Sequence, residues 1–171
     1  ARHDRETISE MAATLKTKPN QVQERLHQVL EEAKSVEREL ADIRKDLAAT
    51  GVADVVSAKV MVNDVPTVLA MVKASDMDNL RDYADKGIEQ LGSGVVLLAS
   101  VNEDKINFVC KVSKDVVKRG AHAGNIVKAA AQAAGGNGGG RPDMAQAGGI
   151  DPEKLNDALR AAGEALKAML G

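Results

Sequence analysis

A heptad pattern in the first third of the sequence places the strongest constraint on how the chain can fold. Between residues 20 and 49, apolar residues recur at alternating spacings of four and three, at Val22, Leu26, Val29, Ala33, Val36, Leu40, Ile43 and Leu47. This spacing aligns them along one side of an α-helix, like the seam of a coiled coil. We expect a long helix that ends at Gly51, because glycine favours a helix stop.

Two partners fit this heptad seam. The apolar residues 22–47 could pack on the rest of the chain, or they could pair with the same helix of a second copy in a homodimer. A shorter amphipathic helix before Pro19 would complete a helical hairpin, so residues 1–50 are predicted to form a helical arm. Helix-start residues surround Pro19, namely Thr17 and Asn20.

In the remainder of the chain, residues 51–171, segments with the apolar pattern of β-strands alternate with segments that have the pattern of α-helices. VVSAKVMVND, VPTVLAMVK, GVVLLASV and KINFVCKV read as four strands, joined in two antiparallel hairpins by short turns. Helices follow each pair, an alanine-rich helix leads into a glycine-rich segment, and a last helix starts at Asp151 and Pro152. The predicted fold class is α+β, an α/β sandwich of antiparallel hairpins preceded by the helical arm. The sequence does not determine the order of the strands.

Composition excludes several classes of protein. The only aromatic residues are Tyr83 and Phe108, so the core is aliphatic and the chain cannot bind single-stranded nucleic acid by stacking many bases. Cys110, the one cysteine, lies in an apolar run and is expected to be an inert core residue. A single cysteine allows no intrachain disulfide, which fits a cytoplasmic setting. No apolar run is long enough to span a bilayer, so no membrane partner is expected.

The sequence offers no catalytic constellation. Its three histidines, His3, His27 and His122, are scattered, and no HExxH, CxxC, G-x-S-x-G, Walker or DHH motif occurs. We therefore expect no catalytic residue, metal site or cofactor in this chain.

Positive charge is concentrated ahead of the glycine-rich segment. The formal net charge is −2, yet residues 105–141 contain seven basic residues and one acidic residue. Residues 133–149 hold seven of the fifteen glycines, and this stretch is predicted to be a loop over 135–149, in which MAQAG could add a short strand. Such a local charge favours a polyanionic partner.

The glycines and basic residues together suggest a phosphate site. Successive glycine amides can form a nest for anionic oxygens, and Arg141 supplies a permanently charged fork. The start of the alanine-rich helix adds a favourable dipole at His122 and Asn125. From charge alone we add the nearby cations Lys114, Lys118, Arg119 and Lys128. The alternative is that Arg141 pairs with Asp143 or Asp151 and only pins the loop.

At the loop the chain resembles a known family. GNGGGRPDMAQAGG, with HAGNIVKAAAQAAGG before it and IDPEKLNDALRAA after it, is similar to the C-terminal region of bacterial alanyl-tRNA synthetases, called the DHH-associated domain. A weaker form of this domain occurs in DHH-type phosphoesterases. The matching loop positions, which the resemblance implies to be RNA-binding, are Gly138, Gly139, Gly140, Arg141, Pro142, Asp143, Gln146, Gly148 and Gly149.

The resemblance implies that the chain is a part of a larger synthetase. It would bind the outer corner, or elbow, of tRNA(Ala) and help the aminoacylation and editing domains act on one tRNA. Those upstream domains would be its partners and would carry ATP, magnesium and zinc. Two alternatives remain: a structural or dimerisation module that uses the arm, and the nucleic-acid-binding half of a phosphoesterase.

Overall fold

The computed structural model describes residues 1–171 and divides them into two compact units, Ala1–Ile43 and Arg44–Gly171. These bounds differ from the predicted division into 1–50 and 51–171. No helix of the structure is both long and apolar enough to cross a membrane.

The two predicted arm helices both form. Helix α1 spans Arg2–Thr14, a 3₁₀ turn spans Pro19–Gln21, and helix α2 spans Val22–Ser57. The 3₁₀ turn begins at Pro19, as the helix-start residues suggested, with proline in its first turn but without a side-chain cap. Residues of α1 line a groove with the beginning of α2, which makes the predicted helical hairpin.

The prediction that the long helix ends at Gly51 is wrong, because α2 continues to Ser57. A Cβ atom at Gly51 would lie 2.7 Å from Cε1 of Tyr83, so this glycine allows close packing inside the helix. As a result, the strand predicted over VVSAKVMVND shrinks to strand β1, Val60–Val62. A packing glycine and a terminating glycine look the same in a sequence.

Six strands form one mixed sheet. Strand β2 spans Val65–Met71, β3 Val95–Asn102, β4 Lys105–Val112, β5 Asn137–Gly140 and β6 Met144–Gly149. The strand order is β1-β2-β3-β4-β6-β5. The predicted hairpins β1–β2 and β3–β4 are antiparallel, as expected. Strands β2 and β3 are parallel, and helix α3, Met77–Leu91, connects them.

Helices pack against both faces of this sheet. Short helix α4 spans Lys114–Lys118, α5 spans Ala123–Ala133 and, after a 3₁₀ turn, α6 spans Leu155–Leu170. Helices α5 and α6 cover a core on one face that includes Phe108 and Cys110, both fully buried. Helix α3 and the end of α2 cover the second core, which includes Leu98 and Val109. The α+β prediction is therefore confirmed.

The glycine-rich segment is folded into the sheet. The predicted loop over 135–149 is an antiparallel hairpin of β5 and β6, in which Gly139 pairs with Gln146 and Gly140 with Ala145. The loop prediction was wrong here, whereas the suggested strand at MAQAG is confirmed. Strand β6 alternates buried and more exposed residues, and its buried alanines lie under α5. Cross-strand packing against β4 and α5 thus outweighs the low strand propensity of glycine.

Candidate nucleic-acid interface

The strand registers bring the hairpin turn and several basic residues to one end of the sheet. Pairing aligns Thr67 near the start of β2 with Val95 at the start of β3, Val95 with the end of β4, and Lys111 with the start of β6. The β1–β2 turn, α4 and the β5–β6 turn therefore lie at this same end. We call it the basic end, defined by five cations: Lys114, Lys118, Arg119, Arg141 and Lys167.

The turn between β5 and β6 is held from three sides. Inside the turn, the Arg141 N–H donates to the Met144 carbonyl at 3.0 Å. From β4, the Val112 N–H donates to the Asp143 carbonyl at 2.9 Å, and from α5 the Ala123 N–H donates to the Pro142 carbonyl at 2.8 Å. Because these hydrogen bonds already fix the backbone at Arg141, a ligand that binds its side chain loses no free energy in ordering the main chain.

The first amides of α5, where the sequence suggests a helix dipole favourable to anions, already have hydrogen-bond partners within the fold. The Gly124 N–H donates to the Arg141 carbonyl at 3.2 Å, in addition to the Ala123 bond to the turn. The Asn125 N–H donates to Nδ1 of His122 at 3.1 Å, and the Ile126 N–H donates to the His122 carbonyl. His122 is therefore the N-cap residue, and the first amides of the helix hold the hairpin turn in place.

Arg141 forms one of the two pairs that the sequence suggested. Its Nε lies 3.3 Å from Oδ1 of Asp143, and the two side chains are 71% and 53% exposed. Exposed ion pairs of this kind contribute about 0–1 kcal/mol. A phosphate could replace Asp143 at little cost, so this pair is compatible with a binding role.

Packing or a positive φ explains most of the glycines in the hairpin but leaves Gly139 and Gly148 unexplained, since a Cβ at Gly148 would make only an ordinary contact, 3.7 Å from the Ile106 carbonyl oxygen. A Cβ at Gly136 would lie 1.8 Å from the Gly148 carbonyl oxygen, and one at Gly138 would lie 2.2 Å from Cβ of Ala147. A Cβ at Gly140 would also clash, with Ala145. At Gly139, by contrast, no atom lies within 4 Å of the added Cβ, and φ is not positive. The fold itself does not require glycine at position 139.

The other predicted residues are distributed unevenly. Gln146 is exposed beside Gly139, and Gly148 is half-buried farther along β6. Gly149 is buried against Ala134 and Phe108, where it serves packing. Lys128 is exposed in the middle of α5, away from the hairpin turn.

Negative charge is present near the basic end and on the α3 side. A side-chain hydrogen bond from Ser113, and a second from Ser93, hold the pKa of the Asp115 carboxyl below its ordinary value. On the α3 side lies a groove with three carboxylates and two cations, in which Lys111 pairs with Asp85 and Arg81 with Asp78; Asp82 leaves one net negative charge there. Phosphates are therefore favoured at the basic end and disfavoured along the acidic groove of α3.

Sequence reasoning missed two residues at the basic end. The Arg119 guanidinium donates through Nη2 to the Asn63 carbonyl at 3.0 Å, and the Asn63 amide donates to the Lys167 carbonyl at 3.4 Å. These contacts join positions 63, 119 and 167, which are far apart along the chain. Charge patterning found Arg119, but no local pattern links Asn63 or Lys167 to it.

Comparisons with known proteins identify relatives of the whole chain. It is 44% identical over 156 residues to an alanine–tRNA ligase of Alkaliphilus oremlandii, a match that covers 91% of this chain and 18% of that protein. It is also 44% identical over 163 residues to an alanine–tRNA ligase of Clostridioides difficile, which covers 95% and 18%. The chain therefore spans less than a fifth of the length of these curated relatives.

Solved structures share the fold. The C-Ala domain of Aquifex aeolicus alanyl-tRNA synthetase matches with a TM-score of 0.58 and 32% identity, over 64% of this chain and 97% of that domain. A DHH domain that is 17% identical matches with a TM-score of 0.56 over 81% of this chain, and it supports the fold alone. The family model of the DHHA1 domain matches residues 58–168, which include the whole sheet. The chain therefore belongs to the DHHA1 domain family.

Proposed function

We propose that this chain is a non-catalytic, tRNA-binding module of an alanyl-tRNA synthetase. The observation that carries the proposal is Gly139, an exposed strand glycine that neither packing nor backbone conformation requires. A glycine without an internal reason fits a position that the backbone of a ligand approaches closely. The relatives named alanine–tRNA ligase and the matched C-Ala domain support tRNA as that ligand.

Binding would depend on shape and phosphate contacts. Arg141, held at the fixed turn, would exchange Asp143 for a phosphate, while the backbone around Gly139 lies against ribose or phosphate. With only two aromatic residues in the chain, stacking on unpaired bases cannot supply the affinity. A surface of this kind fits a folded RNA, and we propose the outer corner, or elbow, of tRNA(Ala) as its target.

The module would act together with the rest of the synthetase in the cytoplasm. We propose that the aminoacylation and editing domains are its partners, and that ATP, magnesium and zinc are bound there. By holding the tRNA elbow, the module would keep one tRNA available to both domains. The net charge of −2 favours modest affinity for the module alone.

A titration with three RNAs tests this function. The chain is titrated with folded tRNA(Ala), a second folded tRNA and an unstructured RNA of equal length, at low salt. We expect both tRNAs to bind more tightly than the unstructured RNA, and Arg141→Ala to weaken binding by about 1–3 kcal/mol, the range for a charged hydrogen bond. No binding of tRNA at low salt would refute the function for this chain.

Gly139→Ala provides the sharper variant. Because the added methyl has open space, this variant should keep the melting temperature of the parent while tRNA affinity falls. Gly138→Ala is the matched control, since its methyl would clash with Ala147 and should lower stability. Full tRNA affinity in Gly139→Ala would mean that the hairpin face is not the contact.

Dimerisation through the arm is a second candidate function. It is favoured by the heptad seam, in which Val36 and Ile43 are 63% and 56% exposed. We propose that a second copy covers this seam. Sedimentation equilibrium should then show a dimer that Val36→Glu and Ile43→Glu together convert to monomer; a monomeric parent chain would exclude this role.

A further inference from the structure

The basic end has a second cluster of cations, distant from the hairpin turn. It consists of Lys118, Arg119 and Lys167, all exposed, around the β1–β2 turn at Asn63. None of the three cations has a carboxylate partner within 4.0 Å, whereas Arg141 and Lys111 are both paired. Unpaired cations that the fold brings together suggest an anionic partner.

The fold fixes this cluster by backbone contacts rather than by chance proximity. Arg119 donates to the Asn63 carbonyl, and the Asn63 side chain donates to the Lys167 carbonyl in the last turn of α6. Next to Arg119, Gly120 has φ +109° and lies so close to Met169 that an added Cβ would be 2.9 Å from its carbonyl oxygen. The approach of α4 to the end of α6 therefore requires a glycine here.

The two groups of cations are separated by the width of the sheet. Strands β3 and β4 lie between β2 and β6, so β2 and β6 are roughly 14 Å apart, and the midpoints of the two turns about 19 Å, at about 4.8 Å per strand. One phosphate cannot contact Arg141 and Lys167 together. A partner that contacts both must be an extended polyanion.

We infer that Lys167 and Arg119 form a second phosphate contact for RNA, across the sheet from the hairpin turn. This inference rests on the proposed tRNA-binding function and extends it, because nothing in the hairpin motif includes Lys167 or Asn63. The RNA backbone would cross the basic end from the β5–β6 turn to the β1–β2 turn. The acidic groove of α3 would lie outside this path.

Helix α6 offers a matched pair of variants. Lys167 lies in its last turn and Lys154 immediately precedes its first residue, so both are exposed lysines, at opposite ends of the same helix. A lysine in a last turn also favours the helix dipole, so Lys167→Gln could lower stability slightly without any RNA contact. For this reason the melting temperature of each variant is measured beside its RNA affinity.

The experiment measures the affinity of the chain for folded tRNA as a function of salt concentration. Lys167→Gln should weaken binding about two- to fivefold at low salt, as expected for one exposed ionic contact. It should also reduce the slope of log K against log salt by about 0.7–0.9, the value for one lost phosphate contact. Lys154→Gln should change neither quantity.

Combination with Arg141→Ala tests the distance between the contacts. Sites more than about 10 Å apart have additive effects, so Lys167→Gln and Arg141→Ala should together give the product of their fold-changes. Equal affinities and slopes for Lys167→Gln and Lys154→Gln would overturn the second contact but leave the proposed function standing. Failure of the parent chain to bind tRNA would refute both.

Discussion

The arm and the sheet are both rich in apolar residues, yet most large apolar side chains of the arm are exposed whereas those of the sheet are buried. In the arm and just beyond it, Leu40 and Leu47 keep the heptad spacing but remain 46% and 61% exposed. In the sheet, Leu97 and Leu98 of β3 are fully buried, one on each face. The spacing of apolar residues indicates which element forms and which of its sides is apolar. It does not specify which distant surface covers that side.

Core truncation should show the largest difference between the two regions. Leu98→Ala removes buried methyl groups from the core under α3 and should destabilise the sheet by about 2–5 kcal/mol. Leu40→Ala removes an exposed side chain and should change stability by less than about 0.5 kcal/mol. Urea unfolding of the sheet, followed by the accessibility of Cys110 to a thiol reagent, measures both.

The expected difference between Leu98→Ala and Leu40→Ala disappears if a second copy of the chain covers the arm in solution. An unexpectedly large loss in Leu40→Ala, growing with protein concentration, would show that a second copy buries the seam. Concentration-independent values for both variants would support an uncovered arm.

A smaller effect is expected at the helix caps, which also distinguish the two regions. The Asp76 carboxylate accepts the Asn79 N–H at 2.7 Å at the start of α3, whereas α1 has no side-chain cap. Asp76→Ala should cost about 1 kcal/mol of sheet stability, and Asp76→Asn should restore most of it because it retains the acceptor. Equal melting temperatures for the parent and Asp76→Ala would show that this cap contributes little.

The smallest effect is expected when the native protein is treated with a thiol reagent, which should not modify Cys110. Burial without any polar partner raises the pKa of its thiol far above the ordinary range, so almost no thiolate forms near neutral pH. A thiol reagent at pH 8 should leave the folded chain unmodified and react stoichiometrically in urea. Rapid modification without denaturant would mean that β4 opens readily.

Local signals account for the elements that sequence alone identified. The continuous apolar run around Leu97 and the alternating run around Phe108 give β3 and β4 with the correct pairing, since a short turn allows only an antiparallel hairpin. The Asp151–Pro152 pair marks the last helical segment, and Asp151 does accept the Glu153 N–H. Each of these features depends on a few neighbouring residues.

Glycine was the main source of error. Glycine propensity favours a helix stop at Gly51 and a loop from Gly135, and both predictions are wrong. The structure uses the same residue type for close approach, of Tyr83 to α2 and of β6 to β5. Propensity is a local quantity, and these contacts join distant segments.

The sequence by itself determined most of the helical and extended segments, the apolar sides, the aliphatic core and the glycine-rich motif around Arg141, because each is encoded by neighbouring residues. Only the tertiary structure decided the strand order, the parallel pairing of β2 with β3 and the meeting of Asn63, Arg119 and Lys167 at one end. It also showed that the first amides of α5 already donate hydrogen bonds within the fold, and that no atom lies within 4 Å of a Cβ added at Gly139. These features depend on which distant surfaces pack together, and no local period or propensity specifies that choice.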